Sequence, residues 1–211
     1  MYAPQADTFL LARALEGLSL PPAARVLDLC TGTGAVALAA ARAGAAGVTA
    51  VDTSARAVFA ARFNARVRRL SVRALRGDLL APVEGQVFDV MLANPPYVVS
   101  PGLPPRGKAH RAWYAGGDGR SVVDRICRHA PGHLAPGGLL LLVHSALCNA
   151  PRTLDMLRDG GLKAAVVDRT VEPFGPVMRS HAPHLRERGL IDPEQNSEEL
   201  VVIRADRPLV P

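Results

Sequence analysis

From about residue 26 onward, short apolar runs alternate with stretches of helical length, which restricts the chain to a parallel sheet with helices on both faces. Val26 to Cys30 is a buried first strand ending in a glycine turn. Ala35 to Ala43 is an alanine-rich helix stopped at Gly44, and Val48 to Val51 is a second strand with Asp52 at its end. Ser54 caps a helix running to about Arg69. Val72 to Leu75 is a weak third strand, and Val87 to Ala93 a stronger fourth. Residues 95 to 117, rich in proline and glycine, read as a loop. Asp118 or Ser121 opens a helix that ends before Pro131. A fifth strand covers Leu139 to His144, a helix Pro151 to Arg158, a sixth strand Lys163 to Val171 and a last strand Glu199 to Arg204. The 211 residues suit one domain, with no internal repeat or domain boundary. One connection breaks the rhythm: residues 172 to 197, with a helix near Val177 to Arg188, are longer than most loops of compact domains.

Composition excludes several classes. Hydrophobic residues at 48% and charged residues at 21% are ordinary for a soluble globular protein. No apolar run approaches the roughly 18 residues of a membrane span. Asp7 interrupts any signal-peptide pattern, so the chain is expected in the cytoplasm. Cys30, Cys127 and Cys148 are odd in number and widely spaced, which reads as three reduced thiols and no metal site. The formal net charge of +6 suits an acidic or nucleic-acid partner. The run Arg62, Arg66, Arg68, Arg69, Arg73, Arg76 reads equally as a solvated face, so nucleic acid is not the favoured partner.

The segment Asp28, Leu29, Cys30, Thr31, Gly32, Thr33, Gly34 joins a strand to a helix, where glycines permit a tight turn and close ligand approach. Asp52, at the end of the next strand, can accept both hydrogen bonds of a ribose diol. Asp78, with Leu79 beside it, follows the third strand, where an adenine amino group can be recognised. All three carboxylates fall at carboxyl ends of successive strands, the edge where open α/β sheets bind ligands. A dinucleotide is the rival ligand. Its fingerprint tolerates Ala37 at the third glycine position but leaves Asp78 and the turn after the fourth strand unexplained.

That turn, Asn94-Pro95-Pro96-Tyr97, is the most specific feature of the chain. Prolines fix the backbone and donate no N–H, so the turn presents carbonyl oxygens on a stiff scaffold. An –NH2 group can give one hydrogen to the Asn94 side-chain oxygen and the other to the Pro95 carbonyl, while Tyr97 stacks on a planar group. This suits methylation of a planar nitrogen in an amide or a nucleobase, with Asn94, Pro95 and Tyr97 catalytic and Pro96 against the substrate. Such a nitrogen is a poor nucleophile, and fixing both hydrogens aims its lone pair for in-line displacement.

Residues 26 to 97 resemble a class I S-adenosylmethionine-dependent methyltransferase, a Rossmann-like fold with a seven-stranded, mostly parallel sheet whose last strand is antiparallel. Motif I lies at Val26 to Gly34, and Cys30 stands where the family's D/E-x-G-x-G-x-G has its first glycine. The resemblance implies S-adenosyl-L-methionine as cofactor, held by Thr8, Asp28, Cys30, Thr31, Gly32, Gly34, Asp52, Asp78, Leu79 and Asn94. More narrowly, M-Y-A-P-Q-A-D-T-F-L-L at Met1 to Leu11 is similar to the Y-x-P-A-E-D-T-F-L-L opening of the short HemK-like protein glutamine methyltransferases. Trp113 to Arg125 resembles their A-W-A-G-G-x-x-G segment. Gln5-Ala6 in place of Ala-Glu departs from the pattern. By this likeness, residues 1 to 20 cover the cofactor, with Tyr2 and Thr8 over it, and Trp113, Gly116 and Gly117 border the substrate.

The same resemblance implies methylation of a glutamine side-chain amide, typically in the G-G-Q loop of a peptide-chain release factor. Bacterial relatives carry an extra N-terminal helical domain for which this chain has no room. The short relatives of eukaryotes and archaea use a small zinc-binding activator subunit. Residues 172 to 197 are expected to overhang the active site as a lid, with Phe174, Met178, Arg179 and His181 near its entrance; His181 and His184 are a weak metal pair. Three other readings remain open: a small-molecule N-methyltransferase, a nucleobase methyltransferase, and a silent binding protein that keeps the fold.

Overall fold

The computed structural model describes residues 4–99 and 114–209. The strands are β1 (Arg25–Leu29), β2 (Gly47–Asp52), β3 (Val72–Arg76), β4 (Phe88–Ala93), β5 (Leu134–Ser145), β6 (Lys163–Pro173) and β7 (Ser197–Asp206). They form one sheet in the order β3-β2-β1-β4-β5-β7-β6, parallel from β3 to β5, with β7 antiparallel to both its neighbours. The helices are α1 (Ala6–Glu16), α2 (Ala35–Arg42), α3 (Ala55–Val67), α4 (Val123–His133), α5 (Ala150–Asp159) and α6 (Pro176–Glu187).

Successive strand residues point to opposite faces, so the central strands feed two cores. Val26 and Leu92 join Leu11, Leu15, Val36, Val58 and Ala61 on the side of α1, α2 and α3. Leu27, Leu29 and Met91 join Ile126, Cys127 and Leu157 on the side of α4 and α5. Both faces are covered, which is why β1, β4 and β5 read as nearly unbroken apolar runs. Among the described residues no helix is long and apolar enough to cross a membrane.

Two boundaries differ from the sequence reading by more than end fraying. Helix α4 begins at Val123 and continues through Pro131 to His133. Asp118 instead accepts from the Arg120 backbone N–H at 3.0 Å and closes a turn before the helix. Proline removes one intrahelical donor, but Arg207 donates to the carbonyls of Pro131 (3.1 Å) and Leu134 (2.5 Å) and supports that last turn. Strand β5 starts at Leu134, ahead of its glycines, because the ladder resumes after an irregularity: Phe88 pairs with Leu134 and Val90 with Leu139. The 172–197 connection is anchored. Phe174, Met178, Ala182, Leu185 and Ile191 pack with Val98, Val99 and Cys148 in a small cluster of their own.

Arg120 fastens the strand of chain before α4 to the start of α5. It is 2% exposed, donates to Asn149 O and Thr153 Oγ1 at 3.0 Å each, and also reaches the Cys148 carbonyl. Its Nε donates to Asp124 Oδ1 at 2.8 Å, and Asp124 is held from the other side by Arg152 at 2.6 Å. Replacing Arg120 by alanine strands buried carbonyls and leaves the Asp124 carboxylate to Arg152. The expected loss is about 2–4 kcal/mol, read as a lower urea midpoint at unchanged slope.

Candidate active site

A cleft of about 580 Å³ opens along the carboxyl ends of β1, β2 and β4, and is lined by residues from Pro4 to Val98. The loop after β1 forms its floor. Asp52, at the end of β2, accepts from the Gly32 N–H at 2.9 Å and from the Ser54 N–H at 2.8 Å. Its carboxylate thereby ties the glycine loop to the cap of α3. Asp28 is 1% exposed and accepts from Thr31 Oγ1 at 2.5 Å and from the Ala37 N–H at 3.1 Å, so it straps the same loop onto α2. Burial pushes its carboxyl up to about 7, against the two hydrogen bonds and with help from the nearby Asp52 charge.

The two loop glycines serve different ends. Gly32 (φ +55°) lines the cleft, with nothing near the space a Cβ would take. Gly34 (φ +84°) does not line it; a Cβ there would sit 3.0 Å from the Ala61 Cβ, so this glycine lets α2 pack against α3. Cys30 takes φ +59° and Leu79 φ +49°, both on the cleft wall. The left-handed region costs an L-residue about 1–2 kcal/mol. Cys30 adopts it because the turn demands it, at the position where the related motif has glycine. Burial, then the charges of Asp52, Asp28 and Asp78, drives the Cys30 thiol far above its ordinary value, so it stays protonated.

At the other end of the cleft, the start of α1 grips the turn after β4. Asp7, 9% exposed, accepts from Tyr97 Oη at 2.9 Å through one oxygen. Its other oxygen accepts from the Thr8 N–H at 2.6 Å and Thr8 Oγ1 at 3.1 Å. Asn94 Nδ2 in turn donates to Thr8 Oγ1 at 3.3 Å. Both ends of Asn94-Pro95-Pro96-Tyr97 are therefore held by adjacent residues of one helix. With its nitrogen so engaged, the Asn94 side-chain oxygen accepts nothing from the described residues. Behind the turn, Cys148 Sγ donates to the Tyr97 carbonyl at 2.8 Å; burial pushes that thiol up to about 12 and keeps its proton. Gly119 (φ +72°) also abuts this carbonyl, where a Cβ would lie 2.4 Å from the oxygen.

The cleft brings together Thr8, Asp28, Cys30, Thr31, Gly32, Asp52, Leu79, Asn94, Pro95, Pro96 and Tyr97. Several other expected site residues are elsewhere. Asp78 does not line the cleft; its carboxylate takes both terminal nitrogens of Arg125, at 3.2 and 2.7 Å. Phe174 is 2% exposed, and Met178 is buried beside it: the apolar face of α6 needs them as core, so neither stands at an entrance. Gly116 and Gly117 lie outside the cleft lining, in the turn that leads to Gly119. Tyr2 and Trp113 lie outside the described residues. Asp7, Gly119 and Arg125 were missed. For Asp7 the available signal was an acidic residue in the first turn of a helix, next to Thr8; for Gly119 and Arg125 no local signal exists. Among the described residues no group of three or more His, Cys, Asp or Glu can hold a metal ion.

A model of the methyltransferase small domain family matches residues 6–104. A protein of Methanocaldococcus jannaschii named "Putative protein N5-glutamine methyltransferase" is 31% identical over 179 residues, 84% of this chain and 89% of that one. The chain is a member of the HemK-like family of class I S-adenosylmethionine-dependent methyltransferases. A release factor glutamine methyltransferase of Deinococcus radiodurans is 39% identical over 77% of this methyltransferase, which spans 60% of that relative's length. The Mtq2-Trm112 complex of E. cuniculi superposes with a TM-score of 0.64, covering 98% of each chain at 24% identity, and shares the fold. The donor the family uses fits this cleft in size and donor set: the Asp52 carboxylate lies on its lining beside the Gly32 turn, and nothing fills the space beside Gly32.

The Asp7–Tyr97 bond is a hydrogen bond to a carboxylate, a type worth about 1.5–3 kcal/mol. A double-mutant cycle with Asp7→Asn and Tyr97→Phe, followed by urea unfolding, is expected to give a coupling of at least about 1 kcal/mol. Additive effects would show that the contact contributes nothing.

Proposed function

We propose that this methyltransferase acts on the side-chain amide nitrogen of a glutamine in a protein, with the G-G-Q loop of a peptide-chain release factor as its acceptor. The observation that carries this reading is the clamped Asn94 to Tyr97 turn with its unengaged Asn94 oxygen. The archaeal and bacterial relatives named for glutamine methylation support it.

S-adenosyl-L-methionine, when bound, supplies an electrophilic methyl group on a sulfonium. Asp52 would hold the ribose hydroxyls, Asp28 and the Thr31-Gly32 turn the methionine portion, and Leu79 the base. The acceptor amide gives its two hydrogens to Asn94 Oδ1 and the Pro95 carbonyl, and Pro96 and Tyr97 hold its plane. Because Asp7 and Thr8 fix both ends of the turn, the two acceptors are aimed before the substrate arrives, which is electrostatic preorganisation. The amide lone pair is delocalised, so orientation contributes much of the acceleration. The nitrogen sheds a proton after substitution, and no strong base is required beforehand.

Incubation with labelled donor and a release factor is expected to label the wild-type factor and not its loop Gln→Ala variant; equal labelling would overturn the acceptor. Purified chain alone is the form to assay, since transfer without any second protein shows that no activator subunit is required. Asn94→Ala removes one acceptor from the transition state and is expected to lower kcat about 10- to 1000-fold.

Asp28 also predicts a pH dependence. With its carboxyl raised to about 7, it is mostly protonated at pH 6 and ionised at pH 8, and the donor's ammonium group favours the ionised form. Donor affinity is therefore expected to rise by up to about tenfold across that range. Calorimetry at the two pH values tests this, and Asp28→Asn is expected to flatten the profile.

A further inference from the structure

The outward face of α3 is apolar where the fold gives it no reason to be. Phe59, Phe63 and Val67, one helical turn apart, are 71%, 58% and 63% exposed. The opposite face of the same helix, Ala57, Val58, Ala61 and Ala65, is already buried in the core. A surface helix needs one apolar stripe to seat itself. The second is surplus to folding, and exposed aromatic side chains aligned in one row mark an interaction site.

The charge around this stripe is one-sided. From Thr53 to Gly77 the chain carries seven arginines and no carboxylate. Elsewhere arginines and carboxylates are interspersed and several pair: Arg13 with Asp168, Arg120 with Asp124, Arg125 with Asp78, Arg169 with Glu199, Arg204 with Asp206. Among the described residues, none of the seven forms an ion pair.

We propose that the Phe59-Phe63-Val67 face of α3 docks an acidic protein, which supplies both the apolar surface for the stripe and the carboxylates for its arginine rim. A second copy of this chain does not fit, because pairing two such faces would set arginine against arginine. Nucleic acid fits less well. Val67 offers no stacking face, and the guanidinium groups of Arg62 and Arg68 are already turned onto this protein's own carbonyls, at Ala74 (2.7 Å) and Asn64 (3.2 Å). Spacing of i, i+4 and i+8 is the pattern by which a helix face enters a protein groove. Arg62 also occupies a carbonyl of edge strand β3, so the partner seats on the helix instead of extending the sheet. This inference does not depend on the acceptor proposed above.

The test uses the full chain with a photo-crosslinking amino acid in place of Phe63, expressed in its native host, followed by identification of the crosslinked protein. That protein, produced separately, is titrated by calorimetry against wild type, Phe59→Ser/Phe63→Ser and Arg66→Glu/Arg69→Glu. All substituted positions are solvent-exposed, and circular dichroism verifies the fold. The expected partner is net acidic; each double variant weakens binding at least about tenfold, and so does raising salt from about 0.1 to 0.5 M. The proposal is overturned by no crosslink, by a basic partner, or by unchanged affinity in the variants. It is equally overturned if the wild type sediments as a dimer that the Phe59/Phe63 variant breaks, or if a single-stranded RNA oligonucleotide binds wild type and not the variants.

Discussion

Asp7 and Thr8, adjacent at the start of α1, reach across the ligand edge of the sheet to the two ends of one turn. Tyr97 donates to Asp7 and Asn94 donates to Thr8, so four residues form a closed chain of hydrogen bonds around two prolines that contribute no donors of their own. The consequence is chemical. A turn fixed at both ends cannot swing its acceptors away, and the Asn94 amide cannot rotate without giving up its bond to Thr8. The N-terminal helix therefore holds the turn after β4 as well as covering the sheet.

The cleft is assembled from local backbone conformations that the chain does not adopt freely. Cys30 and Leu79 stand in the left-handed region on the cleft wall, and such residues concentrate at functional sites because the surrounding structure holds them there. For Cys30 the restraint is visible: the Asp52 bond to Gly32 and the Asp28 bonds to Thr31 and Ala37 fix the loop immediately after it. Asp28 does this from full burial, which raises its proton affinity.

Behind the turn a second layer of contacts converges on one atom, the Tyr97 carbonyl oxygen. Cys148 donates to it and Gly119 lies against it. Arg120, next in the chain, then ties that layer to α5 through the carbonyls of Cys148 and Asn149. The 172–197 connection completes the support from the side, packing Phe174 and Met178 onto Val98 and Val99. This side of the molecule is a scaffold for the turn. At α3 the chain carries exposed apolar side chains, and among the described residues the arginines beside them form no ion pair.

Much of this was legible from local pattern. The alternation of strand and helix, the carboxylates at strand ends, the glycine loop and the Asn94 to Tyr97 turn all follow from short-range periodicity and turn chemistry, and they were enough to identify a methyltransferase fold and the residues that line its cleft. What local pattern could not reach were contacts between residues far apart in the chain. Asp7 finds Tyr97 across 90 positions, and Arg125 finds Asp78 across 47, turning an expected adenine contact into half of an ion pair. Gly119 is a glycine because of a carbonyl 22 residues earlier, and Phe174 is core because α6 had an apolar face to cover. The sequence by itself determined which fold forms and which strand-end residues meet at its cleft, since backbone preferences act over a few residues. Only the tertiary structure decided which side chains hold that edge in place, because that depends on which distant residues packing brings within a hydrogen bond of it.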